Sequence, residues 1–136
     1  MSEQDTINAV SAPNTRPSLA AQLRGFGVEP GGTMIVHSSL RSLGWVCGGA
    51  QAVIEALLDA LEPQGTLVMP SQSGGLSDPA NWKNPPVPQE WWQTIRDTMP
   101  VYDPARTPTR EMGAIAELFR TWPGVIRSAH PANSFA

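Results

Sequence analysis

TMIVHSSLRSLGWVCGGAQAVIEALLDALEPQGTLVMP, residues Thr33–Pro70, decides the fold. Thr33-Met34-Ile35-Val36-His37 is a β-rich run that follows Gly31-Gly32, and it reads as a strand ending near His37. Gly48-Gly49 then opens a helix over Ala50 to Leu61, because Val53, Ile54, Leu57, Leu58 and Leu61 recur at three- and four-residue spacing and line one face. Pro63-Gln64-Gly65 turns the chain into Thr66-Leu67-Val68-Met69, a second strand with Pro70 at its exit. Strand, helix and strand joined by short glycine connections form a βαβ unit, which requires parallel pairing and a right-handed crossover. The fold class predicted is therefore α/β.

Outward from this unit the chain is less regular. Upstream, Ser18 to Gly25 carries a cap-competent Ser18, apolar Leu19, Ala20 and Leu23, and a closing glycine, so a short helix is predicted. Residues 1–17 are rich in Ser, Asn, Thr and Pro with little apolar pattern and are expected to form a disordered leader. Downstream, Gln72 to Tyr102 is dense in Gly, Pro and Trp and reads as a long loop with one short helix at Gln89–Asp97. Met112 to Trp122 is a second clear helix, with Ile115, Leu118, Phe119 and Trp122 on one side. Trp91 and Trp122 are expected to be packing residues.

Composition narrows the class. The 136 residues are 40% hydrophobic and 15% charged, enough for one domain of ordinary size, 18–136. Twelve Gly and 14 Pro exclude a plain helix bundle. A net charge of −3 argues against a general phosphate-backbone binder, so no nucleic-acid partner is expected. No apolar run reaches membrane-spanning length, and Met1 to Ala20 lacks the apolar core of a signal peptide, so a cytoplasmic location is the default. The single cysteine, Cys47, excludes an internal disulfide and a cysteine-based zinc cluster.

Candidate chemistry gathers where the first strand ends. His37, Ser38, Ser39, Leu40 and Arg41 sit at the carboxyl edge of a parallel sheet, where ligand crevices form, and Gly44, Gly48 and Gly49 let the main chain approach a ligand. A turn whose serines satisfy local backbone groups is the competing reading. Neither a phosphate loop nor a dinucleotide fingerprint is present. His37 and His130 are the two candidate bases, each with a structural role as the alternative, and Cys47 is either a nucleophile or a small buried thiol. Among the acids of the irregular region, Asp78 and Asp103 are singled out as carboxylates for a cationic substrate in a negatively lined cleft between Gln72 and Glu111. Arg106 and Arg110 suit either phosphates or nearby acids.

The run Val36-His37-Ser38-Ser39-Leu40-Arg41-Ser42-Leu43-Gly44-Trp45-Val46-Cys47-Gly48-Gly49-Ala50 resembles the amino-terminal signature of the aminoglycoside 3-N-acetyltransferase family. Later family segments resemble Gly65 to Pro70, Tyr102 to Thr109, Met112-Gly113, and Arg127-Ser128-Ala129-His130-Pro131 with Ser134-Phe135-Ala136, in the same order. The resemblance implies a layered α/β/α fold particular to that family. It also implies transfer of an acetyl group from acetyl-CoA, as cosubstrate and without a metal, to the 3-amino group of a 2-deoxystreptamine aminoglycoside. Coenzyme contacts carried over are His37, Ser38, Ser39, Leu40 and Arg41, then Ser71, Thr107, Thr109, Met112 and Gly113. The family's acid-base residues lie in a carboxyl-terminal half without counterpart in these 136 residues, so the resemblance implies the amino-terminal part of a single acetyltransferase domain, inactive alone. Apolar faces at Val53, Leu57, Phe119 and Trp122 are then expected to lack partners. Two alternatives stay open: a non-catalytic coenzyme A-binding relative, and a relative that acetylates a different amine.

Overall fold

In the computed structural model, which describes residues 1–136, the predicted βαβ unit is the centre of the molecule. Strand β1 (Thr33–Ile35) pairs in parallel with β2 (Thr66–Val68), with Met34 opposite Leu67. Both strands are shorter than predicted, although the Val36 N–H still donates to the Val68 carbonyl at 2.9 Å. Between them runs the longest helix, here numbered α3 (Gly49–Leu61), which buries Val53, Ile54, Ala56, Leu57, Ala60 and Leu61. Helix α2 (Arg16–Gly25) and helix α5 (Gly113–Phe119) both pack on α3. Ile54, Met69 and Ile115 are essentially fully buried where these elements meet. Val53, Leu57 and Phe119, expected to lack partners, are buried there too, and Trp122 is partly buried against the same core, because α5 folds back onto α3. No helix is long and apolar enough to cross a membrane.

The leader is the first difference. Within residues 1–17 Glu3–Asn8 form helix α1, closed by a capping box in which the Asp5 N–H donates to Ser2 Oγ and the Ser2 N–H to Asp5 Oδ2. None of its residues is buried, so the helix rests on hydrogen bonds that composition does not reveal. The Trp45 N–H donates to the Thr6 carbonyl, and Asn14 bridges Val46 in parallel while its side chain donates to the Leu43 carbonyl at 2.6 Å. At Gly44, φ is +75° and a Cβ would lie 2.4 Å from Val10, so only glycine fits where leader and loop cross. The cap of α2 is likewise Thr15 rather than Ser18, which takes the third helical position of a second capping box.

The carboxyl-terminal pairing is the second difference. Met69 exchanges both backbone hydrogen bonds with Ala136 at 2.9 Å, Ser71 N–H donates to Ser134 O, and Ser73 N–H donates to Ala132 O. The end of the chain therefore runs antiparallel beside the continuation of β2. Pro70 takes the non-hydrogen-bonded position opposite Phe135, where its missing N–H costs the ladder nothing, and beyond it the Ser71 carbonyl accepts from side chains, Ser134 Oγ and Arg127, so the pairing stays a single bridge. The loop expected after Gln72 holds helix α4 (Trp92–Thr98), preceded by a 3-10 turn at Gln89–Trp91. Trp91 is 55% exposed and is not the packing residue expected, because it lies at the outer rim of that turn. Helix α5 is shorter than predicted, its end carried on to Trp122 by tighter turns.

Candidate functional site

Past the carboxyl ends of β1 and β2 the structure makes two clefts. The first, of about 360 Å³, lies between α2 and the loop after β1. His37, Ser38 and Ser39 form its polar rim, and Leu23, Phe26 and Leu57 its apolar wall. Leu40 and Arg41 stand in a 3-10 turn, Leu40–Leu43, held by the Ser42 N–H to Ser39 O bond at 3.1 Å. Leu40 packs on the core, whereas Arg41 is exposed with no carboxylate partner. Gly113 opens α5 at φ +84°, and a Cβ there would stand 3.5 Å from the Ser38 carbonyl. The start of α5 thus lies against the loop after β1, with the Met112 side chain packed on the core.

The second cleft, of about 900 Å³, follows β2 and is lined by Ser73, Leu76, Tyr102, Asp103, Thr107 and Arg110 among others. Its wall from Tyr102 to Arg110 has no regular secondary structure, yet side chains fasten it at each step. Asp103 closes a turn by accepting the Ala105 N–H at Oδ1 and the Thr107 N–H at its carbonyl, while its own N–H donates to Thr107 Oγ1 at 2.9 Å. Thr109 donates both its N–H and its hydroxyl to Glu117 Oε2, at 2.7 and 2.6 Å. The Arg110 N–H reaches Gln72 O at 2.8 Å, and its guanidinium stands 5.9 Å from the Trp82 ring centre. The hydroxyls of Thr107 and Thr109 therefore hold this wall in shape. Burial alone would push the Glu117 carboxyl up, but bonds from Arg120 and Thr109 outweigh it and bring it down to about 2.

Arg127 is the hub beneath this wall. It is 8% exposed, and its guanidinium donates to the carbonyls of Ser71, Pro104 and Thr107 and to Ser134 Oγ. Ser71 is fully buried, so its contribution is its carbonyl, which also accepts from Ser134 Oγ at 2.8 Å. Tyr102 stacks its ring 5.2 Å from the Arg127 guanidinium and donates its hydroxyl to Ser128 O.

The remaining candidates are more scattered. Asp78 lines neither cleft: it accepts from the Ala80 N–H and from Arg96 at 2.9 Å, and the Arg96 bond holds its carboxyl below the usual range. Asp103 is the one carboxylate of the large cleft, against Arg106 and Arg110, with Arg106 Nε at 3.6 Å. The lining is cationic rather than acidic as expected. His130 accepts the Ala132 and Asn133 N–H groups at Nδ1, 3.2 and 2.8 Å away, so the neutral ring carries its proton on Nε2 and keeps no free lone pair. His37 is exposed, and its ring makes no hydrogen bond. Cys47 is exposed, not a buried thiol. Reading from sequence misses Glu117 and Arg120, although their i,i+3 spacing is a signal that could have found them, and it misses the hub role of Arg127, whose partners lie up to 56 residues away and leave no local spacing to detect.

A parallel βαβ unit with clefts at its strand ends, the larger lined by cations, defines an α/β protein with open crevices at the carboxyl edge of its sheet. The family profile described as aminoglycoside 3-N-acetyltransferase matches residues 35–136, and the chain belongs to that family. It is 54% identical over 130 residues to the SPbeta prophage-derived aminoglycoside N(3')-acetyltransferase-like protein YokD of Bacillus subtilis, covering 95% of this chain and 48% of the relative. The crystal structure of YokD superposes with a TM-score of 0.92 at 52% identity, over 97% of this chain and 49% of that one. AAC-IIIb, solved as a binary complex with CoASH, gives 0.72 at 33% identity, over 91% and 45% of the two chains. A mutant of AAC(3)-IVa in complex with a gentamicin gives 0.71 at 36% identity, over 93% and 41%. The chain spans about half the length of these relatives.

Proposed function

We propose that this chain provides the acetyl-CoA-binding part of an aminoglycoside 3-N-acetyltransferase, acting in the cytoplasm and conferring resistance to 2-deoxystreptamine antibiotics. The observation that carries the reading is the cationic cleft after β2, where Arg110 has no carboxylate partner and Asp103 alone faces two arginines. Phosphates suit such a lining better than the ammonium groups of an antibiotic do. The solved CoASH complex of AAC-IIIb supports the coenzyme, and the gentamicin complex of AAC(3)-IVa supports the acceptor. Arg106 and Arg110 would meet phosphate oxygens, and the turn at Leu40–Leu43 with Gly113 would flank the thioester arm.

The reaction makes a bond from the 3-amino nitrogen to the acetyl carbonyl carbon and breaks the bond to sulfur, releasing the coenzyme thiol. The amine must first lose a proton, and the tetrahedral oxygen must meet N–H donors. His130 has no free lone pair for the first task, which leaves His37 as the available imidazole in this chain. Calorimetry with coenzyme A and a thiol-release assay with gentamicin test the reading. Binding of coenzyme A supports it, and Arg110→Ala should weaken that binding by about 1.5–3 kcal/mol, as expected for a charge-assisted bond. Thiol release with another amine but not gentamicin would favour a different acceptor, and no coenzyme binding would overturn the proposal.

A further inference from the structure

We propose that Arg127 is the positioning residue of the large cleft, tying the wall Tyr102–Arg110 to the exit of β2 and so setting the gap into which the cosubstrate fits. The inference rests on the coenzyme reading above for the identity of the ligand, and on geometry for everything else. Buried charges are ordinarily matched by an opposite charge. Arg127 has no carboxylate within salt-bridge distance and is instead solvated by main-chain carbonyls. Those carbonyls come from both sides of the gap. Ser71, reached by Nη2 at 2.7 Å, follows β2, whereas Pro104 and Thr107, both reached by Nη1, belong to the turn that Asp103 closes. The same turn presents Tyr102, Asp103 and Thr107 to the cleft on its other face.

The planar guanidinium is suited to this spanning role. It places its N–H groups in a fixed fork, so the separation of the accepting carbonyls follows from its own covalent geometry. The third arm, Nε, donates to Ser134 Oγ, and Ser134 in turn donates to Ser71 O, which anchors the fork in the antiparallel pairing at the end of the chain. A lysine keeps the charge but presents one compact ammonium on a flexible stem, which cannot hold both walls at this spacing. The wall lies outside any helix or strand, and its other ties, Thr109 to Glu117, Arg120 to the Ala105 carbonyl and Tyr102 to the Ser128 carbonyl, hold it to α5 and to the segment after it, whereas Arg127 ties its turn to the exit of β2. Its two markers are the Thr107 N–H on Asp103 O and the Arg110 N–H on Gln72 O, each 2.8 Å long.

The test compares the full chain with Arg127→Lys and with Ser134→Ala, using amide hydrogen exchange without ligand and calorimetry with coenzyme A. The expected result for Arg127→Lys is exchange about tenfold faster across residues 103–110, with α3 unchanged, and coenzyme A binding about tenfold weaker. Ser134→Ala, which removes the Nε partner and the hydroxyl bond to Ser71 O but leaves the Nη1 and Nη2 bonds in place, should shift both readouts in the same direction by less. Wild-type exchange across 103–110 in Arg127→Lys overturns the proposal, and so does loss of protection throughout α3 in both variants, which would make Arg127 a residue of the general core. Absence of coenzyme A binding by the unsubstituted chain overturns the functional reading alone, because the exchange comparison still decides whether Arg127 sets the wall.

Discussion

The half of the chain before Pro70 and the half after it are held together by different means. In the first, α2, α3 and the two strands bury a continuous apolar surface in which Ile54, Ala56 and Met69 have no exposed area. In the second, from Ser71 onward, α5 joins that surface through Ile115, Ala116 and Phe119, and the rest depends on side chains that reach backbone groups far away in sequence: Arg127 to Ser71, Tyr102 to Ser128, Ser73 Oγ to Pro131 O. Apolar burial is non-directional and tolerates adjustment, whereas a polar tie works only at one geometry. The candidate site lies where the two regimes meet, with rigid strand ends beneath a wall fastened by polar contacts.

The sharpest way to break this contrast is to remove a buried side chain from the first half. Ile54→Ala deletes three carbons from a fully buried position on α3 and should cost about 2–5 kcal/mol, read from the urea midpoint at constant slope. A cost below about 1 kcal/mol would mean that the first half tolerates cavities like a loosely packed region, and the comparison would lose its first term.

Glu117→Gln asks a narrower question of the second half. The carboxylate accepts two bonds from Thr109 and two from Arg120, whose side chain is 8% exposed, so an amide there leaves a largely buried guanidinium without its charge partner. The expected loss is about 1–2 kcal/mol, with faster exchange along Thr107–Arg110. The pH dependence has a definite sign. The folded carboxyl sits at about 2, below its unfolded value of about 4.5, so this stabilisation is complete above that unfolded value. It is lost as pH falls toward 2, and the Gln variant should lack that part of the acid dependence. A variant with the same acid limb as the parent chain would show that Glu117 does not fasten the wall.

The same division explains what the sequence reveals. Periodicity in Val53, Ile54, Leu57 and Leu61 predicts α3 to within a residue, and glycine-bounded β-rich runs place both strands, because burial is written into residue type at regular spacing. The loop after β1 is legible for the same reason, since it must lie at a parallel strand's carboxyl end. The Glu117–Arg120 pair has the i,i+3 spacing of a helix, but the Thr109 bonds to Glu117, the ties of Arg127 and the pairing of Met69 with Ala136 follow no period. Their partners are fixed only once the chain has folded, and an isolated Arg between Ile126 and Ser128 looks like any surface residue. The leader illustrates the converse: its composition suggests disorder, yet two capping boxes and Asn14 hold it in place.

The smallest effect is expected from the charged tie between two helices on the outer surface of the first half. Arg16, in the first turn of α2, forms a two-pronged bond to Asp59 at 2.6 and 2.7 Å and reaches Glu55 at 3.0 Å, joining α2 to α3 across their outer surface. The bond from Arg16 holds the Asp59 carboxyl below its ordinary value. However, the Arg16 side chain is 47% exposed and the acids about a quarter exposed, so water and salt compete for every contact. The apolar seam beneath, with Leu19 and Ala20 of α2 against α3, already fixes how the two helices approach each other. A double-mutant cycle of Arg16→Ala and Asp59→Ala should therefore give a coupling of about 0.2–1 kcal/mol that shrinks further in 1 M salt. A coupling above about 2 kcal/mol that survives salt would place a directional polar lock inside the apolar half, and the distinction between the two regimes would then follow solvent exposure less than the arrangement of charges on facing helices.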